Sequence, residues 1–272
     1  MLTSALNVPG PMAAARLRDM GASVHKLEPP DGDPLKAFQR AWYTELHEGM
    51  TVETCDLKSA LGRLRCAELL GNADLLITSQ RPAAFARMGF EWNNLHGQFP
   101  RLNQVAIVGF PQPRQNIPGH DLTYLAANRL IAPPHLPRTL FADAAASEMA
   151  VSAALALLLN RAKSGVGAYV EVALAEAARQ LAEPLRHGLT ESGALLGGGF
   201  PGYNLYRTMD GWIAIAALEP HFYAKLCELF ALQCPSREAL AERFAQESTV
   251  HWCSFAEQHG LPIALVPADP AQ

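Results

Sequence analysis

No run of lysine and arginine occurs anywhere in the 272 residues, and the formal charge is −4. Phosphate-backbone binding needs clustered cations, so nucleic acid is not an expected partner. Long apolar stretches are also missing. The longest mainly apolar run, "AVSAALALLL" from Ala150 to Leu159, falls well short of the ~20 residues a helix needs to cross a bilayer. The opening "MLTSALNVPGP" has neither the cationic segment nor the apolar core of a secretory leader. The expectation is a cytoplasmic protein that does not enter a membrane. Cysteine is sparse: Cys55, Cys66, Cys227, Cys234 and Cys253 are odd in number and contain no C-x-x-C pair. That excludes a disulfide framework and argues against zinc. No two histidines stand in H-x-H or H-x-x-x-H register, so no metal site is expected.

What the chain does have is the balance of an ordinary globular protein, 49% hydrophobic and 18% charged. Its length suits one large domain or a large and a small one. The first forty residues read as strand, helix and strand. They are "LTSALNV", a Pro-Gly-Pro break, "MAAARLRDMG" with Gly21 as the stop, and "ASVHKLE". The helical pattern "SALGRLRCAELLG" and the apolar strands "ADLLIT" and "QVAIVGF" continue the alternation, which points to a mainly parallel sheet. From Asp143 a long buried helix is expected, with an acidic N-cap, basic residues in its last turn and Gly165 beyond. "AYVEVAL" reads as a strand, and a helix interrupted by Pro184 follows. After the glycine cluster "LLGGGFPGYN", the alternating segments "YNLYRT" and "WIAIAAL" predict a hairpin through Met209-Asp210-Gly211. Helical patterns and a last strand, "LPIALVP", complete the chain.

A dinucleotide site is the first function this layout brings to mind, and the residues argue against it. The turn "VPGPMAA" holds only Gly10, where G-x-G-x-x-G would need two more glycines, and its flanking prolines remove N–H donors that a pyrophosphate would use.

Five segments in order carry a different likeness: "NVPGPMAAARLRDMGASVHKLEPPDGDP", "TCDLKSALGRLRCAELLGNADLLITSQRPAAFARMGF", "GHDLTYLAANRL", "LFADAAASEMAVSAALALLLNRAKSGVGAYVEVALAEA" and "GGGFPGYNLYRTMDGWIAIAALEPHFY". Together they run from about Leu6 to Tyr223 and resemble the family III CoA-transferases, the CaiB/BaiF group that includes α-methylacyl-CoA racemases. The resemblance implies an α/β fold: a large Rossmann-like CoA-binding domain, residues 1–194, and a smaller α+β domain, residues 195–260. Residues 261–272 would begin a return segment that this chain cuts short. It also implies a homodimer, possibly interlocked, with no tightly bound cofactor and with coenzyme A entering as part of the acyl-CoA substrate.

The resemblance makes Asp143 the central catalytic carboxylate. "GHD", with His120, is the racemase-like form of a motif in which transferases commonly carry tyrosine, and Glu219 in "ALEPHF" is the racemase-like support for that histidine. The reading favoured here is racemisation at the α-carbon of a 2-methylacyl-CoA. Two acid/base groups on opposite faces of one carbon are what such an inversion requires. A helix opening at Asp143 would also aim free N–H groups at the thioester oxygen. The alternative is CoA transfer through an Asp143 acyl-anhydride and CoA-thioester. Ala144-Ala145-Ala146, standing where the racemase pattern has glycines, motivate a further alternative, a catalytically degenerate CoA-binding homologue. For the CoA phosphates the matching cations are Lys26 in "HKLEPP", Lys58 in "CDLK" and Arg81 in "SQRP". Arg81 is the best placed, because it follows a strand end, where α/β sheets bind ligands.

Overall fold

In the computed structural model residues 1–268 are described, and they divide into two compact units, 1–182 and 183–268. In the first unit the elements are β1 (Leu2–Thr3), α1 (Pro9–Asp19), β2 (His25–Glu28), α2 (Pro34–Phe38), α3 (Arg40–His47), β3 (Thr51–Thr54), α4 (Ala60–Gly71) and β4 (Leu75–Thr78). They continue with α5 (Pro82–Arg87), α6 (Trp92–Gln98), β5 (Asn103–Val108), α7 (Asp121–Ala127), α8 (Phe141–Ser164), β6 (Tyr169–Ala173) and α9 (Leu174–Leu181). All six strands are parallel, in the order β3-β2-β1-β4-β5-β6. The chain therefore reverses its direction of winding between β1 and β4. In open α/β sheets that reversal leaves a crevice at the carboxyl ends of the strands, because the connections from the two central strands leave to opposite sides.

Three polar ties hold this crevice. Ser4 Oγ donates to Gln80 Oε1 over 3.0 Å, Gln80 Nε2 donates to the Ser4 carbonyl over 2.7 Å, and the Leu6 N–H donates to Ser79 Oγ over 2.9 Å. The core lies beneath, where Leu75, Ile77, Val105, Ile107 and Val172 of the sheet meet Ala13 and Leu17 of α1 and Ala146, Ala150, Val151 and Ala154 of α8.

Two local readings change. The Pro-Gly-Pro segment is not a break but the first turn of α1, with Pro9 and Pro11 where helical N–H groups have no intrahelical acceptor to lose. Gly10 is needed for packing, since a Cβ there would stand 2.1 Å from the Ala5 Cβ. The long helix opens at Phe141, two residues before Asp143, with Leu140 as its cap. At 24 residues α8 is long and apolar enough, by composition, to cross a membrane; its buried face packs on α1, β5 and α9. It is half-buried rather than enclosed, with Leu155 and Leu159 exposed.

The second unit contains α10 (Glu183–Arg186), a π-helical turn at Leu195–Gly199, β7 (Tyr203–Arg207), β8 (Trp212–Ala216), α11 (Pro220–Leu229), α12 (Arg237–Phe244), α13 (Thr249–His259) and β9 (Ile263–Val266). The expected hairpin is present as β7 and β8 in antiparallel register, Tyr206 opposite Ile213. The strand "LPIALVP" does not leave this unit. As β9 it pairs antiparallel with β8, Ile263 opposite Ile215, and completes a three-stranded sheet. Ile213, Ile215, Leu226, Phe244 and Trp252 form a core of the unit's own.

Candidate active site

A cavity of about 290 Å³ opens at the carboxyl ends of β1, β4 and β5, in the crevice just described. Its lining includes Asn7 after β1, Gln80 and Arg81 after β4, Gly109 after β5, and His120, Tyr124 and Asp143. Three of the six residues singled out in the sequence, Arg81, His120 and Asp143, thus share one cavity.

His120 is the N-cap residue of α7, in extended backbone geometry. Its main chain is held by Thr123, whose hydroxyl accepts from the His120 N–H at 3.1 Å and donates to its carbonyl at 2.7 Å. The imidazole lines the cavity. Asp143 sits in the first turn of α8, partly buried, and its carboxylate has no hydrogen-bond partner among the described residues. Burial, with the Asp121 charge second, pushes the Asp143 carboxyl up to about 7. A carboxylic acid that titrates near neutrality can both hold and release a proton under working conditions.

The N–H groups expected to point at a substrate oxygen are already taken. Asp121 Oδ1 accepts from the Ala142 N–H at 2.7 Å and from the Asp143 N–H at 3.1 Å. Asp121 therefore caps α8 from the start of α7, fixing Asp143 relative to His120 one residue away. None of the three alanines is among the cavity's lining residues, and Ala145 and Ala146 face the core below.

The cations separate into three cases. Arg81, the N-cap residue of α5, is exposed at the cavity, and its guanidinium makes no ion pair or hydrogen bond among the described residues. Lys58 is exposed in the loop between β3 and α4, on the carboxyl side of the sheet but outside the cavity wall. Lys26 does not fit the phosphate-gripping role. It is 0% exposed, and its ammonium lies 2.5 Å from Asp33 Oδ2, 3.1 Å from Glu28 Oε1 and 2.6 Å from His47 Nε2. Two carboxylates and an imidazole consume every proton it could offer a ligand. Glu28, Asp33 and His47 bring donor atoms within 4.8 Å of one another, and the Lys26 ammonium occupies the place a metal cation would take. Glu219 is the exposed N-cap residue of α11, in the second unit.

Sequence reasoning missed Asp121, Asn7 and Tyr124. Asn7 adopts a left-handed φ of 65°, and its N–H is anchored on Asp33 Oδ1 at 3.0 Å. Tyr124 stands four residues after His120 in "GHDLTY", hence on the same helix face, a spacing that could have flagged it.

The family model described as CoA-transferase family III matches residues 1–267. Over 290 residues the chain is 26% identical to human alpha-methylacyl-CoA racemase, covering 95% of this chain and 74% of that one. Over 244 residues it is 28% identical to succinyl-CoA--D-citramalate CoA-transferase of Chloroflexus aurantiacus, covering 80% and 60% respectively. A solved structure of a hypothetical protein of Mycobacterium tuberculosis superposes with a TM-score of 0.85 at 26% identity, over 98% of this chain and 83% of that one.

Proposed function

The chain belongs to CoA-transferase family III, and on that premise we propose that it racemises the α-carbon of an acyl-CoA thioester, a 2-methylacyl-CoA. The observation that carries the reading is one cavity shared by an imidazole, His120, and a carboxyl held near 7, Asp143. Neutral His120 takes the α-proton from one face, and the C–H electron pair moves onto the thioester oxygen as an enolate. Protonated Asp143 returns a proton to the opposite face, the enolate electrons re-form a C–H bond, and the carbon is inverted. Running the steps backwards exchanges the two roles, so each group must be able to take and to give the proton. Arg81 is the cation for the CoA phosphates, by virtue of its free guanidinium at the cavity. The protein works as a homodimer.

In deuterated water a chiral 2-methylacyl-CoA is expected to gain α-deuterium as its configuration is lost, and His120→Ala or Asp143→Ala slows this about 10²–10⁴-fold. No incorporation across several acyl chains overturns the racemase reading. The similarity to a CoA-transferase keeps a second reading in play. There Asp143 attacks the thioester carbonyl and expels CoA thiolate, leaving an acyl anhydride; the thiolate then attacks the aspartyl carbonyl, forming an aspartyl thioester and releasing the acyl group as its free carboxylate. Hydroxylamine trapping with mass spectrometry at Asp143 is its test. Binding of acyl-CoA with neither exchange nor adduct would mean a degenerate homologue.

A further inference from the structure

We infer that the Tyr124 hydroxyl is the hydrogen-bond donor that stabilises the thioester oxygen as negative charge develops on it. The inference rests on the acyl-CoA reading above and adds a residue to it. Charge on that oxygen needs a preorganised donor. The N–H groups at the start of α8 are bonded to Asp121. Arg81 is drawn to phosphates, while His120 and Asp143 are committed to the proton. Tyr124 remains.

Its side chain is 1% exposed, yet it lines the cavity, and its hydroxyl has no hydrogen-bond partner among the described residues. A phenol whose ring is enclosed and whose oxygen opens onto a cavity without a partner is placed to receive a ligand atom, since buried hydroxyls otherwise find one in the protein. The ring is held rigidly. A Cβ at Gly109 would stand 2.5 Å from the Tyr124 oxygen, and one at Gly119 would lie 2.6 Å from both that oxygen and the ring. The Phe110 ring meets Tyr124 edge-on at 5.2 Å between centroids. Two glycines and an aromatic wall therefore fix the oxygen in one place, which is what preorganisation requires. Burial and the neighbouring Asp143 charge raise the phenol's pKa, outweighing Arg81, so the proton stays on as a donor.

Tyr124→Phe removes one oxygen and leaves the packing. In the deuterium-exchange assay it is expected to lower kcat about 10²–10³-fold with KM changed less than about threefold, at unchanged Tm. A kcat within twofold of the parent protein, which itself exchanges, overturns the role of Tyr124 and leaves the racemase reading standing. A second measurement does not depend on turnover. A CoA thioether bearing a planar nitronate in place of the enolate should bind the parent protein at least about 30-fold tighter relative to free CoA than it binds Tyr124→Phe. An equal ratio in the two proteins overturns the inference whatever reaction the enzyme performs.

Discussion

Asp143 shows how one residue can be costly to the fold. Its carboxyl titrates near 7 in the folded protein against 3.8 ordinarily, because burial and the Asp121 charge both disfavour the ionised form. The folded state therefore binds this proton more tightly than the unfolded chain does. The advantage is fully present below about pH 4 and is lost as pH rises through 7, the reverse of a salt-bridged aspartate. Ionising a carboxyl held so far above its ordinary value costs the folded state on the order of 3–4 kcal/mol above neutrality. Asp143→Asn mimics the protonated form at every pH. It should raise the unfolding free energy at pH 8 while matching the parent at pH 4, as read by denaturant titration at the two values. A difference of the same size at both pH values would show that Asp143 is not raised. The sequence singled out Asp143 but assigned its setting wrongly. "DAAAS" reads as a helix with its own acidic cap, whereas the cap comes from Asp121, 21 residues earlier in the chain from the Ala142 N–H it accepts. No local pattern carries that information.

The turn from β1 into α1 depends on a buried charge cluster. Lys26 on β2 is enclosed by Glu28, Asp33 and His47, and Asp33 in turn holds the Asn7 and Leu35 N–H groups, each at 3.0 Å. The His47 Nδ1–H bonds the Tyr43 carbonyl, leaving Nε2 to accept from Lys26, and burial lowers the pKa of the imidazole so that it stays neutral beside the ammonium. Lys26→Met would strand two buried carboxylates, a loss of about 3–5 kcal/mol where one partner of a buried ion pair is removed. It should also loosen the Asn7 wall of the cavity. Denaturant unfolding should show the first, and weakened acyl-CoA binding in the surviving folded protein the second. Stability within about 1 kcal/mol of the parent would mean that the cluster relaxes into water and does not brace the turn. The alternation of strands and helices, and the β7–β8 hairpin, were readable because each follows from spacing within ten to twenty residues. The burial of Lys26 was not, because "HKLE" looks the same whether or not Asp33 and His47 fold over it. Tyr124 escaped for a similar reason, its place being set by Gly109 and Gly119 from outside its helix.

At the scale of the whole molecule the unexplained surface is the outer face of α8. Leu155 is 40% exposed and Leu159, one helical turn on, 68% exposed. Aligned leucines on a helix whose other face is core make an apolar strip that water solvates poorly, and such strips mark contact surfaces. The strip supports the homodimer proposed above, since a second copy of α8 presents the same apolar surface and a two-fold pairing needs a self-complementary one. Light scattering at micromolar concentration should give about twice the chain mass of 29.4 kDa. Leu159→Glu should shift the protein toward monomer, because pairing would bury two unpaired carboxylates against each other. Its helical circular dichroism should be unchanged, as Leu159 makes no contribution to the core of its own chain. A monomeric parent, or a dimer that withstands Leu159→Glu, removes this face as the interface.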